Sequence, residues 1–126
     1  HVGGALSEVG AFLSPAVLTG VTPEMDLYYE EVFGPVVVVH EVRDADHAVE
    51  MANDSVYGLG AAIFGSDEDE IMRVADQLDC GMVFVNSAED SEPDLPFGGM
   101  KRSGFGRELS HLAIDEFANL KLIRLP

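Results

Sequence analysis

Two short segments combine residue types and spacing that could do chemistry. The first is residues 30–35, Glu-Glu-Val-Phe-Gly-Pro, which lead directly into an apolar run. The Gly-Pro pair fixes a turn, so the carboxylates of Glu30 and Glu31 are held beside the ring of Phe33. A carboxylate accepts two hydrogen bonds at once and suits a ribose diol, while an aromatic ring can pack on a cofactor or line a tunnel. The alternative is a solvated acidic turn with a Phe in the core.

The second segment is the glycine-rich stretch of residues 95–108, Leu-Pro-Phe-Gly-Gly-Met-Lys-Arg-Ser-Gly-Phe-Gly-Arg-Glu. Its glycines allow the backbone to approach a ligand or another backbone closely. The spacing matches neither a Walker loop nor a Rossmann fingerprint, so it does not indicate phosphate binding. The alternative is a structured surface loop.

Cys80 is a candidate nucleophile, because nucleophilic cysteines define several enzyme classes. It lies at the predicted C-terminal end of a helix, where the helix dipole disfavours a thiolate. Asp76 and Asp79 are near in sequence and disfavour the thiolate further. We therefore expect Cys80 to be structural.

Metal binding is not indicated by the ligand-type side chains. The histidines, which are His1, His40, His47 and His111, show no metal-ligand spacing. The acidic run at residues 67–70 fits the charged first turn of a helix, which the helix dipole favours. We expect no metal site and no catalytic set within this chain.

The elements that position these segments follow from hydrophobic periodicity. Strands are predicted at residues 36–39, 61–64 and 82–85, and the β-branched run 36–39 is typical of a strand buried on both faces. Helical spacing of apolar residues separates the strands, after Asp44 and after Ser66. Strand, helix, strand, helix, strand at this spacing predicts an α/β fold with a βαβαβ unit, a parallel sheet and helices on its faces.

Cap signals set the expected helix ends. Asp44 offers an N-cap for the first helix, and Ser66 with Asp69 resembles a capping box for the second. Gly81 stands where a helix C-cap glycine belongs.

The remaining elements are shorter. Residues 16–18 predict a strand, 26–32 a short helical turn and 109–117 a last helix. Residues 87–106 form a long loop, which is usually functional or disordered. Residues 120–125 predict a final strand with little room to pair nearby, so we expect it to pair with a segment outside this chain.

Composition limits the classes of function. The chain has 126 residues, is 47% hydrophobic and has a net charge of −16, from 23 acidic and 7 basic residues. The size and hydrophobicity fit one globular domain, and the charge argues against a nucleic-acid partner. The acidity fits the hydrated surface of a halophile or merely an acidic bacterial protein. One cysteine, no apolar run of membrane-spanning length and no signal-peptide pattern lead us to expect a cytoplasmic protein. The start at His1, without Met, suggests processing or an internal fragment.

Three segments together resemble the aldehyde dehydrogenase superfamily. Residues 30–35 resemble its E-E-x-F-G-P motif and residues 53–59, Asn-Asp-Ser-Val-Tyr-Gly-Leu, resemble its N-x-x-x-Y-G-L stretch. Residues 96–108 resemble its P-F-G-G-x-K-x-S-G-x-G-R-E segment. The motifs occur in the family's order and near its spacing, and the resemblance covers nearly the whole chain.

The resemblance implies oxidation of an aldehyde to a carboxylic acid with NAD or NADP as the hydride acceptor. Glu31 matches the glutamate that holds the nicotinamide ribose, Phe33 the aromatic beside the nicotinamide, and Phe97 a residue lining the aldehyde tunnel. Residues 1–118 would be the C-terminal part of the catalytic domain. Residues 119–126 would be an oligomerisation strand in a homo-oligomer, a dimer or a tetramer.

The resemblance also places the key chemistry outside this chain. The family's nucleophilic Cys, general-base Glu, oxyanion Asn and glycine-rich cofactor loop lie upstream, so the chain alone should be inactive. Residues 91–97 look most like the succinate-semialdehyde branch, yet four acidic side chains within residues 89–94 would repel an anionic substrate if they faced the tunnel. They are Glu89, Asp90, Glu92 and Asp94.

Two other functions are open from the sequence. One is a non-catalytic, truncated assembly or binding module of the same fold. The other is an unrelated acidic βαβ enzyme that uses the loop at residues 87–106.

Overall fold

The structure is a computed structural model that describes residues 2–126. The chain divides into two compact units, one ending at Arg43 and the other spanning Asp44–Pro126. None of the helices in residues 2–126 is long and apolar enough to cross a membrane.

The first unit is built on a three-stranded sheet in the order β1-β2-β3. The strands are β1 (Val2–Gly3), β2 (Ala16–Thr19) and β3 (Val36–Val39), and a 3-10 helix covers Asp26–Tyr28. β1 and β2 are antiparallel, and β2 and β3 are parallel with Ala16 opposite Val36. The strand and the helical turn predicted before residue 35 are therefore present, the turn in shorter form.

β3 has the predicted bounds but not the predicted burial. Val36 and Val38 are half-buried, whereas Val37 and Val39 are exposed. In the described chain the strand therefore buries one face, and its other face presents apolar side chains to the outside.

The second unit contains the remaining elements. In chain order they are α1 (Ala45–Asn53), β4 (Tyr57–Gly58), β5 (Gly60–Ile63), α2 (Glu68–Gln77), β6 (Met82–Val85), β7 (Met100–Lys101) and α3 (Ala113–Glu116). β5 and β6 pair in parallel with α2 as the crossover, and β4 pairs antiparallel with β7. Val49 of α1 and Ile71 of α2 are buried, as the apolar faces of these helices predict.

The predicted continuous parallel sheet of three strands is not confirmed. The parallel crossover β5-α2-β6 is present as expected. β3, however, pairs with β2 inside the first unit, and β5 and β6 form a two-stranded sheet. A strand satisfies its backbone with whichever neighbour is in register, and periodicity does not identify that neighbour.

The two main helices begin at aspartates. Asp44 caps α1 as predicted, because its side chain accepts a hydrogen bond of 2.8 Å from the His47 N–H. The predicted capping box of α2 is wrong. Asp67, not Ser66, is the N-cap, and its carboxylate accepts from the Glu70 N–H at 3.1 Å.

We predict that Asp67→Ala lowers the free energy of unfolding by about 1 kcal/mol, because an N-cap carboxylate satisfies a helix N–H that is otherwise unpaired. Ser66→Ala is the matched control and should change it by less than about 0.5 kcal/mol. Urea unfolding of the complete protein measures both. An equal loss in the two variants would contradict the capping role of Asp67.

The C-terminal region has less regular structure than predicted. The last helix covers only Ala113–Glu116, because Leu109 and Ser110 have φ values of 60° and 54°. These left-handed conformations cannot continue an α-helix. Residues 117–126 form no strand in the described chain, and Leu120 and Leu122 are each 91% exposed.

Candidate functional site

The corner at residues 32–36 is fixed by its own backbone. The Gly34 N–H donates to the Val32 carbonyl at 2.9 Å, and the Val36 N–H donates to the Gly34 carbonyl at 2.8 Å. The Pro35 carbonyl accepts from the Ala16 N–H at 2.8 Å, which joins the corner to β2. The chain is thereby held in a defined direction where it enters β3.

This corner presents both predicted cofactor-binding side chains outward. Glu31 is exposed, and Phe33 is 94% exposed. The alternative that Phe33 belongs to a core is therefore wrong for the described chain. An exposed carboxylate can accept hydroxyl hydrogen bonds, and an exposed aromatic ring two residues later can pack on a flat ring.

Phe97 is held differently, inside the second unit. It is half-buried, and its N–H and carbonyl both pair with Glu108 at 2.8 Å. This two-residue bridge closes the glycine-rich segment into a loop. The loop at residues 97–108 is therefore structured, as one of the two sequence interpretations expected.

Two cavities share Phe97 as a wall. One, of about 410 Å³, lies between the glycine-rich loop and Glu116 and Phe117 of the C-terminal region. The other, of about 250 Å³, lies between β6 and residues 90–97. The Phe97 ring is therefore placed to shape a small-molecule site from either side, and cavities of this size suit small ligands.

The predicted site residues fall in different units. Glu31 and Phe33 belong to the first unit, and Phe97 belongs to the second. Their assignments to a cofactor and an aldehyde stay predictions. Within residues 2–126, no cluster of three or more His, Cys, Asp or Glu side chains could hold a metal ion.

The structure brings together two segments that lie far apart along the sequence. The Ser103 hydroxyl accepts from the Gly58 N–H at 3.0 Å, and the Arg102 N–H donates to the Val56 carbonyl at 2.9 Å. Lys101 Nζ donates to the Asn53 carbonyl at 2.9 Å. Residues 53–59 thus serve as the seat of the glycine-rich loop.

Asn53 extends this seat to α2. Its side-chain amide donates to the Gln77 carbonyl and accepts from the Asp79 N–H, both at 2.8 Å. The sequence alone did not single out Asn53, Ser103 or Lys101 as positioning residues. The indication that these residues matter was their place in two family motifs. Nothing in the local sequence indicates that the two motifs are in contact.

Gly81 has a packing role instead of the predicted capping role. α2 ends at Gln77 with Leu78 as its C-cap, so Gly81 lies beyond the helix end. A Cβ atom at Gly81 would lie 1.9 Å from the Gly98 carbonyl oxygen. The absence of a side chain therefore lets the glycine-rich loop rest directly on the backbone before β6.

Cys80 is half-buried and its thiol donates to the Met82 carbonyl at 3.1 Å. Burial raises the pKa of the Cys80 thiol, and the negative charges of Glu89 and Asp79 raise it further. The residue lies three positions past the end of α2 rather than at its last turn. A thiol with a raised pKa is a poor nucleophile, which supports the structural role predicted for it.

We predict that iodoacetamide alkylates Cys80 several-fold more slowly in the folded protein than in the urea-unfolded protein at pH 8. A raised pKa leaves less thiolate at this pH, and the difference should narrow as pH rises through the folded pKa. Mass spectrometry of the peptide containing Cys80 measures the rate. Faster alkylation in the folded protein would contradict a structural thiol.

Comparison with known proteins gives consistent matches. A sequence model of the aldehyde dehydrogenase family matches residues 1–123. The chain is 61% identical over 115 residues to a succinate-semialdehyde dehydrogenase, NADP(+), of Deinococcus radiodurans, covering 91% of this chain and 24% of that protein. It is 46% identical over 121 residues to the succinate semialdehyde dehydrogenase Sad, NAD(P)+, of Escherichia coli, covering 96% and 26%.

The solved structures that this chain matches are also aldehyde dehydrogenases. A succinic semialdehyde dehydrogenase of Streptococcus pyogenes, in complex with NADP+ as the cofactor, matches with a TM-score of 0.88 and 45% identity, covering 97% of this chain and 27% of that one. A betaine aldehyde dehydrogenase of Staphylococcus aureus in complex with NAD+ matches with a TM-score of 0.84 and 38% identity, covering 92% and 24%. The chain spans about a quarter of the length of the curated relatives it matches.

Proposed function

This chain belongs to the aldehyde dehydrogenase family, and we propose that it is the C-terminal portion of an NAD(P)-dependent enzyme that oxidises an aldehyde to a carboxylic acid. In this proposal residues 1–118 complete the catalytic domain, where β3 and the β5-α2-β6 crossover become parts of the βαβαβ sheet. Upstream sequence supplies the nucleophilic cysteine and the general-base glutamate. The reducing cytoplasm is the expected setting.

The exposed apolar surface is the observation that carries this proposal. The described chain has 10017 Å² of accessible surface and a mass of 13.5 kDa. Two separately compact units of these sizes would together expose roughly 7,800 Å² by the scaling of surface with mass. Large apolar side chains contribute to this surface, since Phe33, Phe105 and Phe117 are each at least 90% exposed. A longer chain, of which this is about a quarter, would cover such surface.

Glu31 and Phe33 have the properties that the cofactor role requires. The nicotinamide cofactor would accept a hydride from the substrate when bound. The exposed Glu31 carboxylate can accept hydrogen bonds from two ribose hydroxyls, and the adjacent Phe33 ring offers a flat apolar surface. The hydrogen-bonded corner at residues 32–36 fixes the backbone that carries Phe33 and directly follows Glu31, which lowers the entropy cost of holding the cofactor.

Phe97 is proposed to line the aldehyde channel, because it forms a wall of two cavities. Succinate semialdehyde is the first substrate to test, since relatives at 46% and 61% identity are named for it. Asp90 and Glu92 line the smaller cavity and would oppose an anionic substrate there. Glu108 and Glu116 line the larger cavity, but the cationic Arg107 lines it too, whereas no cationic side chain of the described chain lines the smaller one. The larger cavity therefore suits a carboxylate-bearing aldehyde better.

Residues 119–126 are proposed to act as an oligomerisation strand. Leu120 and Leu122 are exposed, and the segment forms no strand within the described chain. An extended segment with unpaired backbone groups gains hydrogen bonds by adding to a sheet edge. A second copy of the enzyme in a homodimer or homotetramer would supply this edge.

The second candidate is a truncated assembly module without catalysis. The exposed apolar side chains of Leu120 and Leu122 favour it, because an assembly role needs an apolar contact surface and no nucleophile from this chain. The two candidates differ in whether a cysteine-bearing segment precedes residue 1 in the reading frame.

The test is to express the complete reading frame and this chain separately. The complete protein should reduce NAD+ or NADP+ in the presence of succinate semialdehyde, and the chain alone should not. If the complete protein reduces neither cofactor with any of a panel of aldehydes, while the chain self-associates in sedimentation, the assembly module replaces the enzyme.

A further inference from the structure

The side chain of Arg107 joins two segments of the glycine-rich loop. Its Nη1 donates to the Gly99 carbonyl at 2.9 Å and to the Gly106 carbonyl at 2.7 Å, and both bonds are partly buried. A guanidinium gives strong hydrogen bonds because the donor is charged. Arg107 therefore fixes the distance between two segments of the loop, residues 97–99 and residues 106–108. We call these two segments, joined by Arg107, the clasp.

Phe97 lies at the end of the clasp. Its two backbone hydrogen bonds run to Glu108, the residue after Arg107. Between Phe97 and Gly99 the chain passes close to the arginine, since a Cβ on Gly98 would lie 2.9 Å from Arg107 Cδ. The methylene carbons and the guanidinium group of Arg107 therefore contact the backbone that carries the Phe97 side chain.

The other side of the clasp is tied to α3. The Arg107 N–H donates to Glu116 Oε1 at 3.3 Å, and a Cβ on Gly106 would lie 2.6 Å from Glu116 Oε2. Both tie points, Arg107 and Glu116, border the larger cavity together with Phe97. A change in the clasp would consequently change the shape of that cavity.

We infer that Arg107 is a positioning residue for aldehyde binding, acting through the clasp on the Phe97 ring. The inference rests on the proposed function, which assigns Phe97 to the aldehyde channel. Arg107 acts on the ground-state fit of the aldehyde and leaves the reacting groups, which lie outside this chain in the proposal, in place. Losing it should therefore weaken aldehyde binding far more than turnover.

The test is steady-state kinetics of Arg107→Ala in the complete enzyme, with succinate semialdehyde and hexanal as probes. KM for the better aldehyde should rise about tenfold, with kcat within about threefold and the KM for NADP+ unchanged. Arg107→Lys keeps one charged donor and should recover most of the loss. Arg102→Ala is the matched control, because Arg102 is an exposed arginine of the same loop whose bond to Val56 uses the backbone.

A double-variant cycle separates positioning from general stability. If Arg107 acts through Phe97, adding Arg107→Ala to Phe97→Ala should raise KM by less than about twofold further. Independent, fully additive effects would overturn the inference, as would equal losses in kcat and in NADP+ affinity. If Arg107→Ala does not fold, Arg107→Lys takes its place and should show a smaller rise in KM that is confined to the aldehyde, with kcat and the KM for NADP+ unchanged. An Arg107→Lys variant that does not fold, or that changes all three constants equally, overturns the inference too. A wild-type enzyme that oxidises no aldehyde overturns the proposed function first.

Discussion

Replacing Glu31 by Gln in the complete enzyme should raise KM for NAD(P)+ by about 10- to 100-fold, because a hydrogen bond to a charged group contributes about 1.5–3 kcal/mol. The neutral amide keeps the size of the side chain but presents only one acceptor oxygen to a ribose diol. The side chain is exposed in the described chain, so stability should not change. Cofactor titration by protein fluorescence and steady-state kinetics measure the loss.

Glu30→Gln is the matched control for this prediction. Glu30 is the adjacent exposed carboxylate, and its backbone N–H donates to the Asp26 carbonyl at 3.2 Å, a bond that the substitution keeps. It changes the net charge by the same amount as Glu31→Gln. Equal losses of cofactor affinity in both variants would indicate a general charge effect and would remove Glu31 from the cofactor site.

Gly81→Ala should lower the free energy of unfolding by about 3 kcal/mol, which is at the upper end of the usual cost of overpacking. The new methyl group would lie 1.9 Å from the Gly98 carbonyl oxygen and 2.9 Å from the Gly99 Cα. Both are backbone atoms, so relief requires the glycine-rich loop to move away from β6. Urea unfolding of the complete protein, followed by near-ultraviolet circular dichroism, measures the change.

Gly34→Ala controls for the loss of glycine itself. A Cβ at Gly34 would meet only a Val32 methyl group at 4.0 Å, so the free energy of unfolding should change by less than about 0.5 kcal/mol. An unfolding midpoint of Gly81→Ala equal to that of Gly34→Ala would show that the loop does not rest on Gly81.

The sequence predicted elements best where local chemistry decides them. The Asp44 cap and the strand at 82–85 occur as expected, because capping and short runs of β-branched and aromatic residues act within a few residues. The errors lie at the boundaries. Asp67, one residue after Ser66, is the better hydrogen-bond acceptor and caps α2 in its place. Leu109 has a left-handed φ that ends the predicted helix, but a leucine gives no indication of this in the sequence, as a glycine would.

The site was predictable only as separate segments. Family resemblance selected Glu31, Phe33 and Phe97, and the exposure of Phe33 in the described chain fits a residue that another surface covers. The contact between Gly58 and Ser103 spans 45 residues, and no periodicity encodes such a contact. Likewise, the seating of Gly98 on Gly81 depends on tertiary packing rather than on either local sequence.

The bonds between Ser103 and Gly58 and between Lys101 and Asn53 have a consequence for recombination between relatives. A chimera that imports residues 96–108 from another enzyme to alter substrate range would replace one partner of each of these hydrogen bonds and leave the other partner, in residues 53–59, from the original enzyme. Residues 53–59 should therefore be transplanted as the companion block, and crossover points are best placed outside both blocks.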